Sequence, residues 1–355
     1  MMEKILVINP GSTSTKIAVY EGEKQVFLEN ISHPTAEIEV YPTTYDQLQY
    51  RVGAIAGTLA KAGIPADSFD CVMGRGGGIA RLATGGYEVN QALLDSAKDH
   101  PLFDHVSNIG AALAYRFAQG SGCKAYIYDA VSAETMVPEA KILGMDHMER
   151  TSLCHVLNAR AMGIRYAKEQ GRKYEDMNLI VAHMGGGVTV SAHCHGRIVD
   201  NIRDDEGPMA PTRCGAVSVQ KVVDLCFSGK YTYEEMTKKT RGDAGLVNLL
   251  GTHDAIEVEK RIEAGDAYAK LVYDAMGYQV AKYSAMMAGA FTEPVDAVIL
   301  TGGIAHSKML TGVIRAHLEH TFKVVVMPGE NEMEALAFGG LRILRGEEAV
   351  NPAYR

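Results

Sequence analysis

Two stretches of this chain, about half its length apart, share one pattern: a β-branched run breaks into glycine and hydroxyl residues and then resumes as a strand. The first is Ile5-Leu6-Val7-Ile8-Asn9-Pro10-Gly11-Ser12-Thr13-Ser14-Thr15-Lys16-Ile17-Ala18-Val19-Tyr20, and the second is Leu179-Ile180-Val181-Ala182-His183-Met184-Gly185-Gly186-Gly187-Val188-Thr189-Val190-Ser191. Each predicts a hairpin whose turn presents backbone N–H groups. Two such turns facing one another would grip a polyphosphate, so the spacing predicts two similar halves with a nucleotide between them.

The order of elements repeats around these hairpins. In the first half, short strands are expected near 25–31 and 38–40. A helix follows, because Leu48, Val52, Ile55 and Leu59 recur at helical spacing until Gly63 and Pro65 stop it. Strand 70–73 runs into Gly74-Arg75-Gly76-Gly77-Gly78, then come helix 109–119 and strand 125–129. The second half has its hairpin, a return strand at 198–201, a helical region from Asp266 to about Ala290, and strand 295–300 ending in Gly302-Gly303. Helix 310–318, strand 323–327 and a closing helix from Glu332 complete it. The repeated order predicts an α/β protein of two similar domains with a ligand cleft between them. The boundary is placed in 143–159, with the last helix returning to the first domain. The expected domains are therefore 1–150 plus 330–355, and 151–329.

A chain of 355 residues exceeds the usual size of one core, and 47% apolar with 22% charged residues belongs to the soluble globular class. No apolar run reaches the roughly 20 residues of a membrane span. The first strand begins too near Met1 for a leader peptide, so a cytoplasmic protein is expected. Six cysteines without a Cys-x-x-Cys pair argue against disulfides and structural zinc. A net charge of −8 with no basic stripe argues against a nucleic-acid partner.

Several residues carry chemistry. In 9–16, glycine lets backbone approach a phosphate while Ser12, Ser14 and Lys16 supply donors; a solvated hairpin turn is the plain alternative. Gly302-Gly303-Ile304 after a buried strand offers a flat surface for adenosine, or else only tight strand-to-helix packing. Arg75 and Arg213 both stand near strand ends, and two guanidinium forks suit a carboxylate and a transferring phosphoryl group; surface ion pairing is the commoner fate. Asp129 and Glu332 are candidates for Mg²⁺, Glu332 alternatively serving as the N-terminal charge of the last helix. His193-Cys194-His195 is an unpromising metal site, since strand alternation sends its side chains to opposite faces.

Read together, these residues resemble the acetate and butyrate kinase family, within the superfamily of sugar kinases, heat-shock chaperone ATPases and actin. Asn9–Lys16 is similar to that family's Asn-x-Gly-Ser-x-Ser-x-Lys opening, His183–Gly187 to its second phosphate motif, and Thr301–Ile304 to its adenosine motif. The segments 207–215 and 328–337 look closest to butyrate kinases. The resemblance implies two ribonuclease H-like (actin-like ATPase) domains binding ATP/ADP and Mg²⁺. It implies phosphate contacts from Asn9, Gly11, Ser12, Ser14, Lys16, Gly185, Gly186 and Gly187, and adenosine contacts from Gly302, Gly303 and Ile304. By the same resemblance Arg75 and Arg213 clamp the reacting groups, His183 steadies the phosphoryl group, Asp129 holds metal or carboxylate, and Glu332 helps bind the metal. A homodimer or higher homo-oligomer is implied too.

Three departures stand out. The family's Phe-His-Gly-Thr-Ser-His is represented only by nearby Met148-Glu149-Arg150-Thr151-Ser152, leaving a second active-site histidine unassigned. Met209-Ala210 replaces Phe-Ser after Gly-Pro, which bears on the acyl pocket. Gly76-Gly77 replaces two valines beside the first arginine, which predicts room for extra methylenes and a substrate longer than acetate. The expected activity is reversible ATP-dependent phosphorylation of a short-chain carboxylate, butyrate or a branched relative. The alternatives are acetate or propionate, a sugar kinase, or a non-catalytic ATP-driven switch of the chaperone or filament kind.

Overall fold

The computed structural model describes residues 2–355. It forms two compact units: one runs from the amino terminus to Glu134 and takes in Asn331–Arg355, and the other is Thr135–Glu330.

The first unit is built on a sheet of β1 (Lys4–Pro10), β2 (Ser14–Glu21), β3 (Lys24–Ser32), β4 (Cys71–Arg75), β5 (Gly86–Glu88) and β6 (Lys124–Tyr128). Their order is β3-β2-β1-β4-β6-β5. The first three strands form an antiparallel meander, and β4 and β6 extend the sheet in parallel. β1 is buried on both faces, which is why it reads as an unbroken apolar run rather than an alternating one. Leu6, Ile8, Ile17 and Val19 share a core with Ile55 and Leu59 of helix Leu48–Lys61 and with Leu113 of helix Gly110–Ser121.

The second unit repeats the plan with β7 (Asn178–Met184), β8 (Val188–Cys194), β9 (Arg197–Ile202), β10 (Ala297–Thr301) and β11 (Val324–Val326), ordered β11-β10-β7-β8-β9. Again three antiparallel strands are followed by two parallel ones. Helices Ala267–Met286 and Lys308–Leu318 supply Tyr273, Met276, Val280, Leu310 and Ile314 to its core. The two hairpins and the five-strand order thus recur in both halves.

Some local expectations change. Residues 38–40 do not form a strand: Pro34 opens a helical turn, Thr35–Ile38, in which only Ile38 is buried, and Val40 lies in solvent. A fixed proline φ and too few buried apolar positions outweigh the β-branched side chains there. Sequence periodicity missed β5 and the helix Gln91–Asp99, whose first turn is capped by the Asn90 side chain accepting from Leu93 N–H at 2.9 Å. Residues 135–150, expected in the first domain, belong to the second unit. There Val137 N–H donates to Val199 O, and Arg150 bridges Asp200 and Glu206. Among the described residues no helix is long and apolar enough to cross a membrane.

The last helix, Glu332–Leu344, packs on the first sheet through two consecutive glycines. A Cβ at Gly339 would lie 2.8–2.9 Å from three atoms of the Tyr128 ring, and one at Gly340 would lie 3.0 Å from Met73. Gly339→Ala is therefore expected to overpack this face and destabilise the first unit by about 1–3 kcal/mol in urea unfolding. An unchanged midpoint would mean that the helix can shift without loss.

Candidate active site

Three residues from distant parts of the sequence meet in the first unit. Asn9 is the penultimate residue of β1, Arg75 closes the neighbouring parallel β4, and Glu332 begins the last helix. Arg75 Nη1 and Nη2 lie 3.1 and 3.0 Å from the two oxygens of Glu332, a bidentate pair. Asn9 Nδ2 donates to Glu332 at 2.6 Å, and Arg75 Nη1 donates to Asn9 Oδ1 at 3.3 Å. The pair is about a quarter exposed on each side, so it is accessible to a ligand. Ser12 and Lys16 are exposed on the adjoining turn, and Gly11 N–H closes that turn onto Ser14 O at 2.8 Å.

Beneath the turn, Arg51 is fully buried and reaches the carbonyls of Gly11, Ser12 and Ser14 at 2.9–3.0 Å. Burial pushes its pKa down to about 10, still well above neutral pH. Thr15 Oγ1 accepts from Arg51 and pairs with Nε2 of buried His33 at 2.8 Å. Burial first, and the Arg51 charge second, hold His33 down to about 4. None of this supporting layer was singled out in the sequence, because a lone arginine on an amphipathic helix looks like a surface residue.

The second unit assembles its own cluster around the other glycine turn. His183, at the end of β7, is 2% exposed. Asn158 Nδ2 sits 2.9 Å from its Nδ1 and also donates to Thr301 Oγ1, so Nδ1 is the acceptor and the ring proton is on Nε2. Nε2 is buried with no hydrogen-bond partner among the described residues, and Glu330 Oε1 is 3.6 Å away. A buried donor left open in this way suits an incoming anion. His155, which the sequence reading passed over, stacks on the ring of His183 at 3.9 Å between centroids and 11° between planes, and its Nδ1 pairs with Thr189 Oγ1 at 3.0 Å. Arg150, in the segment where the second active-site histidine was sought, is engaged by Asp200 and Glu206.

Arg213 is tied to the same turn. Its Nη1 donates to Thr212 Oγ1 at 2.7 Å, and that hydroxyl donates to Gly186 O at 2.9 Å. Its Nε donates to Asp204, a buried carboxylate packed against Gly187. Asp204 and Thr212 were not anticipated; the acidic run 204–206 at the end of β9 was the available signal. Gly185 N–H closes the turn onto Gly187 O, while Gly186 is exposed.

At several of the expected site positions the structure shows packing or turn contacts. A Cβ at Gly76 would lie 2.5 Å from that of Ala130, and one at Gly77 would lie 2.3 Å from Asn108 Oδ1. Neighbouring atoms occupy the positions a side chain would need, so close packing is one requirement for these glycines. Met209 is only 7% exposed and belongs to the core of the second unit. Gly302, at φ +91°, lies against the Met184 backbone, where a Cβ would come within 2.3 Å of the carbonyl oxygen; its lack of a side chain reflects packing. Gly303 beside it is open apart from Glu330 at 4.0 Å, and Ile304 packs partly into the core. Asp129, in a left-handed conformation, accepts the Gly85 N–H at 2.7 Å, so one of its oxygens holds that turn. Among the described residues no three His, Cys, Asp or Glu side chains converge as a metal site. His193 is instead buried between Tyr174 and Ser191.

Comparison with protein families matches residues 146–347, more than half of the chain, to the acetokinase family. The chain belongs to the acetokinase family. It is thereby a carboxylate phosphotransferase, from a family that works with ATP and a divalent metal. Among solved structures, acetate kinase from Porphyromonas gingivalis is 18% identical, covers 96% of this chain and all of its own, and superposes with a TM-score of 0.78. Acetate kinase from Entamoeba histolytica is 15% identical, covers 96% and 99%, and gives 0.76. A propionate kinase from Francisella tularensis subsp. tularensis SCHU S4 is 18% identical, covers 95% and 99%, and gives 0.74. At such identities the likeness speaks for the fold, which is that of two actin-like ATPase domains.

Two outcomes follow from this geometry. His155→Ala is expected to lower kcat at least tenfold by freeing the His183 ring, whereas His155→Phe, which keeps a stacked ring, should retain most of it; equal losses would remove the stacking role. His33 binds its proton more weakly in the folded than in the unfolded state. Its contribution to stability is thus complete above about pH 6.5 and is lost as pH falls toward about 4. His33→Gln should flatten the denaturation midpoint across that window, and an unaltered slope would contradict the assignment.

Proposed function

We propose that this acetokinase-family protein transfers the γ-phosphoryl group of ATP reversibly to a short-chain carboxylate of the butyrate class, giving an acyl phosphate and ADP. The observation that carries the reading is the convergence of Asn9, Arg75 and Glu332 from three distant chain positions. Arg75 already holds a carboxylate in its fork, that of Glu332. A substrate carboxylate brings the same chemistry to the same fork.

A carboxylate is an anionic nucleophile at neutral pH, so the protein needs no general base; positioning and charge neutralisation carry the rate. Arg75 and Arg213 supply the two positive forks. His183, its tautomer set by Asn158, points an N–H donor that can meet charge developing on the phosphoryl oxygens. The glycine turns and Ser12, Ser14 and Lys16 receive the remaining phosphates. Mg²⁺, when bound with ATP, neutralises phosphate charge, and Glu332, released by Arg75, is the side chain suited to hold it. A hard cation that keeps most of its water and phosphate ligands fits a site with a single such carboxylate.

The choice of butyrate rests on the likeness of segments 207–215 and 328–337 to butyrate kinases. The solved neighbours are acetate and propionate kinases, so chain length needs a direct test. Two extra buried methylenes are worth about 1.6 kcal/mol, so kcat/KM for butyrate should exceed that for acetate by about tenfold. A preference for acetate or propionate across a two- to five-carbon series would replace butyrate as substrate. Arg75→Ala and Arg213→Ala should each lower kcat/KM by about 10²–10³ with the circular dichroism spectrum unchanged. Near-normal turnover in either would remove that arginine from the clamp.

A further inference from the structure

Among the described residues the guanidinium of Arg51 carries a charge that no ion pair offsets. All three of its nitrogens are engaged: Nη1 by Gly11 O, Ser14 O and Thr15 Oγ1, Nη2 by Ser12 O and Gln47 Oε1, and Nε by Gln47 Oε1. Every acceptor is a neutral oxygen. Among the described residues no carboxylate forms an ion pair with it, although it is fully buried on the helix Leu48–Lys61. A buried arginine is ordinarily paired, because desolvating its charge is costly.

The carbonyls it gathers give that charge a direction. In a trans peptide the N–H points opposite to the C=O. With the Gly11 and Ser12 carbonyls turned toward Arg51, the N–H groups of Ser12 and Thr13 point away from it, at residues that are exposed. Peptide dipoles and guanidinium charge therefore add with the same sign at the outer face of the turn. A neutral amide at Gln47 preserves this field, where a carboxylate making the same hydrogen bonds would cancel it.

We propose that Arg51 is a positioning residue whose uncancelled charge, acting through the Gly11–Ser14 turn, makes that turn a polyphosphate site. The ligand is the phosphate chain, from a nucleotide or from inorganic polyphosphate. The inference rests on reading this turn as the phosphate-binding one.

Gln47→Glu tests it in the full-length protein, since the substitution keeps the oxygen that accepts from Arg51 and adds the missing counter-charge. Calorimetric titration with MgADP and with magnesium tripolyphosphate would be run on wild type, Gln47→Glu and Lys16→Ala, with melting temperatures alongside. The expected result is at least tenfold weaker binding in Gln47→Glu with an equal or higher melting temperature, a divergence that a purely structural role for Arg51 would not give. The same loss for tripolyphosphate identifies phosphates alone as sufficient; loss for ADP with no tripolyphosphate binding to wild type identifies the nucleotide. Wild-type affinity in Gln47→Glu with weakened binding in Lys16→Ala would overturn the role of Arg51 and leave the turn as a phosphate site. No change in either variant would overturn the phosphate reading itself.

Discussion

The return of the last helix to the first sheet is the constraint on which the first unit's chemistry depends. Gly339 and Gly340 let Glu332–Leu344 lie against Tyr128 and Met73 more closely than a side chain would allow without a shift. That seating sets Glu332, the first residue of the helix, beside the ends of β1 and β4, where Asn9 and Arg75 await it. Asn9 and Glu332 lie 323 residues apart in sequence, so this polar cluster forms only once the last helix has returned to the first sheet.

Each unit prepares its glycine turn with a buried layer behind it. In the first, Arg51 donates to the turn's inner carbonyls and to the Thr15 hydroxyl, with His33 kept neutral by burial and by the neighbouring charge. In the second, Asn158 and His155 fix the His183 ring, and Thr212 relays Arg213 to the Gly186 carbonyl. The exposed residues name the chemistry, but the buried ones orient it. Such preorganisation is what lets dipoles and charges act without rearranging as the reaction proceeds.

Much of this was legible in the sequence, for physical reasons that differ by residue. The two hairpins were visible because a doubly buried strand is an unbroken apolar run and its turn needs glycine. Arg75 stood out because a charge between glycines at the end of an apolar strand is unusual, and Glu332 because a carboxylate opens the last helix, where its charge also suits the helix dipole. Arg51, Asn158 and His155 were not legible, since their significance comes from what lies across from them in space. Gly76 and Gly77 were ambiguous for the opposite reason: the absence of a side chain reads equally as room for a ligand or as close contact, and the structure shows the contact with Ala130 and Asn108.

The central claim is that an organic acid, already charged, accepts the phosphoryl group directly. Incubating the protein with MgATP, a carboxylate and hydroxylamine converts any acyl phosphate to a hydroxamate that can be counted against ADP. The account expects hydroxamate and ADP in equal amounts with a short-chain acid, and neither product when the acid is omitted. ADP released without hydroxamate, or phosphate delivered only to a sugar, would contradict it.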